Sequence, residues 1–164
     1  MCREALESKT TWMSENILNA GQLLLKSKYG TSGLQHTGLG DTLNFEVMED
    51  EFVQVLHSGG NHWLVITTMG CPPGVVKIYD SMVHKLPFQT KEQVCALLMT
   101  KEPQIEVLHI DVQQQRNTKD CGLFALAFAT ALCSGQEPRH LSFEAVSKCP
   151  ACLHCAWLGQ CWQA

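Results

Sequence analysis

The chain reads as an α+β domain in which a central, mostly antiparallel sheet meets a buried helix. Three observations predict this class. Residues 52–80 carry three short runs rich in Val, Ile and Thr, separated by turns that contain glycine or proline. Residues 121–134 are apolar nearly all round, which is the pattern of a helix inside a domain rather than on its surface. One helical period precedes the strands and another follows them, with no internal repeat or low-complexity linker.

Taken in order, Ser14 is placed to cap a helix in which Ile17, Leu18, Gly21, Leu24 and Leu25 recur at helical spacing, and Tyr29-Gly30 ends it. Residues 31–43 are rich in Gly and Thr and read as loop. Residues 52–56 alternate as a strand, Ser58-Gly59-Gly60-Asn61 is a turn, and residues 62–68 form a second strand. Cys71-Pro72-Pro73-Gly74 turns the chain into a third strand over residues 75–80, completing an antiparallel meander. Thr90-Lys91-Glu92-Gln93 has the pattern of a capping box, with Val94, Leu97 and Leu98 behind it and Pro103 beyond the helix end. Residues 105–112 give a fourth strand and residues 113–120 a polar loop, from which Asp120 is placed to cap the buried helix.

The whole chain narrows the function classes. Its 164 residues suit one domain. The net charge of −4 comes with no run of Lys or Arg, which argues against a nucleic-acid binder. Residues 1–14 lack the apolar stretch of a signal peptide. The longest apolar run, residues 123–133, is too short for a bilayer span of about 20 residues. The chain therefore reads as soluble and intracellular, in nucleus or cytoplasm, and its nine cysteines as reduced thiols.

Chemistry concentrates on Cys121. It follows a polar loop and opens the buried helix, so its sulfur meets the positive end of the helix dipole, which favours thiolate. Gly122 leaves room for another chain to approach. On position alone, a plain core cysteine is the commoner fate of such a residue. A nucleophile needs a base, and the base an orienting group. His62 begins the second strand and Asp80 ends the third, so antiparallel pairing makes them neighbours. His57, His84 and His109 compete for the role of base, and His57 shares the hairpin with His62. Gln113-Gln114-Gln115 precedes the cysteine, and one of these amides together with the Cys121 N–H could hold an oxyanion.

These pieces, His62-Trp63, then Tyr79-Asp80-Ser81, then Gln114-Gln115-Arg116-Asn117-Thr118-Lys119-Asp120-Cys121-Gly122, resemble the sentrin-specific (ubiquitin-like-specific) protease family. That family reads His-Trp, Asp-Ser and Gln-Gln-x-x-x-x-Asp-Cys-Gly in the same order. Trp12-Met13-Ser14-Glu15-Asn16-Ile17 is similar to its opening segment, so the resemblance covers residues 12–138. It implies a papain-like cysteine-proteinase fold and a triad of His62, Asp80 and Cys121, with Gln115 as the oxyanion residue. It also implies that Trp12 and Trp63 close a narrow tunnel over the Gly-Gly end of a ubiquitin-like modifier, SUMO-like above all. The partner is then that modifier or its conjugates, bound by a monomer with no cofactor, no nucleic acid and no membrane.

The resemblance fails past Pro138. This divides the chain into a catalytic domain over residues 1–138 and a divergent Cys-rich tail over residues 139–164. Cys149, Cys152, Cys155 and Cys161, with His154 among them, have zinc-like spacing. The tail lacks the usual long span between two ligand pairs, and a divergent or truncated terminus, from altered splicing or a mobile-element copy, accounts for it better. Two other functions fit the same residues. One is a modifier-binding module with a degenerate site, against which the complete His, Asp, Gln and Cys set argues. The other is an acetyltransferase of the same clan, for which no basic pocket motif for acetyl-CoA stands in the sequence. Adenovirus-type proteases share the clan and keep a polyprotein-processing role open.

Overall fold

The computed structural model describes residues 12–82, 85–98, 100–144 and 146. Helix α1 spans Glu15–Tyr29 and buries Ile17, Leu18, Gly21 and Leu25. Gly30 stops it at φ 66°, in the left-handed region, and bonds back to the Lys26 carbonyl. Ser14 holds the N-cap position through its backbone. Its carbonyl accepts from the Ile17 and Leu18 amides, and its side chain makes no cap bond. Leu24, expected on the apolar face, is 53% exposed, because the core meets the opposite edge of the helix. The segment expected as loop contains a two-residue strand, β1 (Ser32–Gly33), and a 3₁₀ turn (Thr37–Gly40), both too short to leave a period in the sequence.

The sheet continues with β2 (Phe52–His57), β3 (Trp63–Thr67), β4 (Val75–Tyr79) and β5 (Glu106–Ile110), in that spatial order after β1. The expected meander is present, since β2–β3 and β3–β4 are antiparallel. The outer pairs, β1–β2 and β4–β5, are parallel. For β5 this follows from helix α2 (Phe88–Leu97), which carries the chain back across the sheet before the strand begins.

Helices cover both faces of the sheet. Val53, Val55, Val65 and Tyr79 pack with α1 and with helix α3 (Cys121–Cys133). Phe52, Leu56, Leu64, Ile66 and Ile78 pack with Val94 and Leu97 of α2. Successive strand residues therefore enter two different cores, and β3 is buried along its whole length.

The capping box is not formed. Helix α2 starts at Phe88 behind Pro87, whose fixed φ already suits a helix entry, so Thr90 and Gln93 lie inside the helix. Both are buried and reach the end of β2. Thr90 Oγ1 lies 2.9 Å from Ser58 Oγ, and Gln93 Nε2 donates to the His57 carbonyl at 3.0 Å. The helix thus anchors the turn that leads to His62. Asp120 likewise sits at the N-cap of α3 without a side-chain cap bond, because its carboxylate accepts from Asn117 Nδ2 at 2.7 Å instead.

Past Pro138 the chain still packs on the α3 side of the sheet. Phe143 is fully buried, 5.0 Å from the Phe128 ring and edge-on to it, and Val146 belongs to the same cluster. The tail residues Cys149, Cys152, His154, Cys155 and Cys161 lie outside the described residues. Among the described residues no group of His, Cys, Asp and Glu is placed to hold a metal ion. No described helix is long and apolar enough to cross a membrane.

Candidate active site

The turn after β2 aims His62. Gly59, Gly60 and Asn61 all have positive φ, at 78°, 56° and 59°. Glycine adopts this conformation freely, and Asn is among the few other residues that tolerate it. The turn is closed by the Ser58 N–H on the His62 carbonyl at 2.8 Å and the His62 N–H on the Gly59 carbonyl at 3.0 Å. His62 then stands at the entry to β3, beside the exit of β4, where Asp80 lies. Its Nε2 is 2.7 Å from Asp80 Oδ1, with the two side chains 11% and 6% exposed. Asp80 Oδ1 also accepts the Met82 amide at 2.9 Å.

Cys121 is the first residue of α3 and is buried. Its Sγ–H reaches the Asn61 carbonyl at 3.5 Å, and its side chain hydrogen-bonds with His62. The imidazole is therefore held between a carboxylate and a sulfur. Burial alone would lower its pKa. The hydrogen bonds and charges of Asp80 and Cys121 outweigh burial and push it up to about 9. With Nε2 on Asp80, Nδ1 is the nitrogen left for the sulfur.

The competing histidines are not so placed. His57 packs against the Trp63 ring, tilted to it at 4.6 Å between centroids, and His109 lies exposed on β5 opposite Ile78. His84 is outside the described residues.

Each of the three glutamines before Cys121 is committed, which distinguishes this run from a solvated polar loop. Gln113 Oε1 accepts the Phe143 amide at 2.6 Å. Gln114 Nε2 donates to the Asp80 carbonyl at 3.0 Å and so braces the strand end that carries the carboxylate. Gln115 accepts from Ser81 Oγ at 2.6 Å through Oε1, and its Nε2 donates to the Asn117 carbonyl at 2.5 Å. Its backbone N–H also meets the Ser81 carbonyl, at 2.8 Å. Ser81 thus fixes which way the Gln115 amide faces. The sequence reading missed this part played by Ser81. Its only signal was adjacency to Asp80.

Trp12 and Trp63 line one cleft of about 310 Å³, together with Met13, His57, Asn61 and Asp41. Trp12 is 41% exposed and Trp63 is 6% exposed, so the first forms an open wall and the second a fixed one. Trp12 also lines a second cleft, on the His62 side. Gly122 does leave room for a close approach, but the chain that fills it is this protein's own. A Cβ there would stand 2.7 Å from Met13 Cβ. The glycine lets the segment next to Trp12 lie against the start of α3.

Residues 52–148, more than half of the chain, match the family described as "Ulp1 protease family, C-terminal catalytic domain". No curated protein sequence matches the chain. Among solved structures, the fold is similar to the C-terminal protease domain of Ulp1 in complex with SMT3, the yeast ortholog of SUMO. The TM-score is 0.65 at 12% identity, over 94% of this chain and 79% of that one. Ulp1 with its catalytic cysteine oxidised to a sulfenic acid gives a TM-score of 0.67 at 12% identity, over 94% and 80%. The Ulp1-like SUMO protease catalytic domain of Chaetomium thermophilum gives 0.58 at 19% identity, over 92% and 72%. On the family match, with the fold in agreement, the chain belongs to the Ulp1 protease family and is a cysteine peptidase.

Proposed function

We propose that the protein cleaves the peptide or isopeptide bond after the C-terminal Gly-Gly of a SUMO-like modifier, with Cys121 as nucleophile. The observation that carries this reading is the imidazole of His62 held between Asp80 and Cys121 at the start of a buried helix. His62 takes the Cys121 proton through Nδ1 while Asp80 holds the Nε2–H and stabilises the imidazolium. The sulfur attacks the glycine carbonyl. The developing oxyanion is met by the Cys121 N–H, unsatisfied at a helix start, and by Gln115 Nε2. His62 returns the proton to the leaving amine, and water then releases the acyl-enzyme. No cofactor enters these steps.

Substrate choice rests on Trp12 and Trp63. Both indole rings line one cleft, and flat aromatic walls suit a backbone without side chains, which is what Gly-Gly offers. Similarity to SUMO proteases, one of them in complex with SMT3, supports SUMO as the modifier. Phe143 and Val146 pack in the core and the family match runs to residue 148, so the divergent tail is read as starting beyond that point rather than at residue 139.

The test is cleavage of SUMO fused through Gly-Gly to a reporter. Wild-type protein is expected to release SUMO with the intact mass of its Gly-Gly terminus, and Cys121→Ser to release none. A fusion that stays whole with folded wild-type protein, or cuts that survive Cys121→Ser, would overturn the proposal.

A further inference from the structure

The two clefts that meet at Trp12 differ in chemistry, and the reaction decides what each receives. When the C–N bond breaks, the nitrogen that leaves must take its proton from His62. The leaving group therefore lies on the His62 side. The second cleft, about 590 Å³, is lined by His62 itself, with Trp12, the Gly59-Gly60 turn, Met82, Pro87 and Gln89. The first cleft is lined by both tryptophans and not by His62, which suits the acyl side. It carries Glu15 and Asp41, whereas among the described residues lining the second cleft His62 is the sole group able to bear a charge.

Resting on the cysteine peptidase reading above, we infer that the His62-side cleft selects an apolar side chain on the residue just after the scissile bond. Trp12, Met82 and Pro87 supply apolar walls, and the glycine turn leaves space without adding a side chain. An ammonium placed there loses water and meets no carboxylate in the walls, and a carboxylate meets only the charge of His62, which Asp80 already pairs, since Ser58, Gln89 and Thr118 are neutral. A leucine loses nothing and buries its surface. His62, which protonates the leaving nitrogen, lines this cleft, so its occupant is part of the substrate.

The experiment uses SUMO followed by Leu, Lys or Glu and a common reporter, with kcat/KM measured for each. Leu is expected to exceed both charged residues by about tenfold. Gln89 is exposed on the rim, and a charge there should redirect the preference. Gln89→Glu is expected to raise the Lys-to-Leu ratio, and Gln89→Lys the Glu-to-Leu ratio, each by about tenfold. Equal rates for the three substrates, or ratios indifferent to both Gln89 substitutions, would overturn the inference. A SUMO probe bearing a C-terminal electrophile, which has no residue after Gly-Gly, separates the two levels. Labelling of Cys121 with flat ratios sinks the cleft selectivity alone, whereas absence of labelling in folded protein sinks both it and the peptidase reading.

Discussion

Asp80→Asn removes a charge and leaves the shape of the side chain, so it isolates what the carboxylate does to His62. The imidazole sits at about 9 instead of 6.5 although burial, the largest single influence on it, works the other way. At roughly 1.4 kcal/mol per unit of pKa, its partners favour imidazolium by about 3 kcal/mol net. Both side chains are almost closed to solvent, so water does not screen that preference away. With the charge gone, Cys121 alone is left to oppose burial, and the pKa is expected to fall well below about 9. NMR titration of the His62 ring carbon measures this directly. Stability follows with a defined sign. His62 binds its proton more tightly folded, at about 9, than unfolded, at 6.5. Its contribution is therefore complete below pH 6.5 and lost as pH rises toward 9. Urea unfolding of wild-type protein should weaken across that window, and the Asp80→Asn variant should lose that slope. Peptidase activity should drop by about 10²- to 10⁴-fold. A His62 that titrates near 9 in both proteins would refute the reasoning, because the pair with Asp80 would then not set its charge.

Three further predictions concern the supports of the site. Gln115→Ala is expected to lower kcat by about 10²- to 10³-fold with little change in KM, and Ser81→Ala by less, since it frees the amide without removing it. Steady-state kinetics on a SUMO fusion would show both, and an unaffected Gln115→Ala enzyme would exclude that amide from the oxyanion site. Gly122→Ala pushes a methyl against Met13 and should destabilise the fold by about 1–3 kcal/mol in denaturant melts, or displace Trp12 and raise KM. Phe143→Ala empties a fully buried ring site beside Phe124 and Phe128 and should cost about 3–5 kcal/mol, which a surface-like loss below about 0.5 kcal/mol would contradict.

The proposed triad was legible because each of its residues sits where a strong local signal meets a topological rule. The Ser58-Gly59-Gly60-Asn61 turn fixed the hairpin, the hairpin fixed the start of β3, and antiparallel pairing then brought Asp80 to His62. Cys121 was marked by the polar-to-apolar switch at the start of α3. What escaped depends on partners distant in sequence. Thr90 and Gln93 look like a capping box when read within their own helix. Their bonds run instead to Ser58 and the His57 carbonyl, more than thirty residues away. Gly122 was expected to leave room for another chain, and nothing local says that Met13 of this chain fills that space. The parallel strand β1 is only two residues long, and its pairing with Phe52 and Val53 is set by where α1 delivers the chain.

The proposed chemistry requires Cys121 to attack the terminal glycine carbonyl of the modifier, and the same attack on an electrophile set in place of the carboxylate leaves a stable thioether. Incubation with a SUMO probe carrying an electrophile in place of the terminal carboxylate, followed by peptide mass mapping, reads it residue by residue. One adduct per chain is expected, on Cys121, lost in Cys121→Ser and slowed in His62→Ala. An adduct on Cys71, Cys95 or Cys133, or none on folded protein, would contradict it.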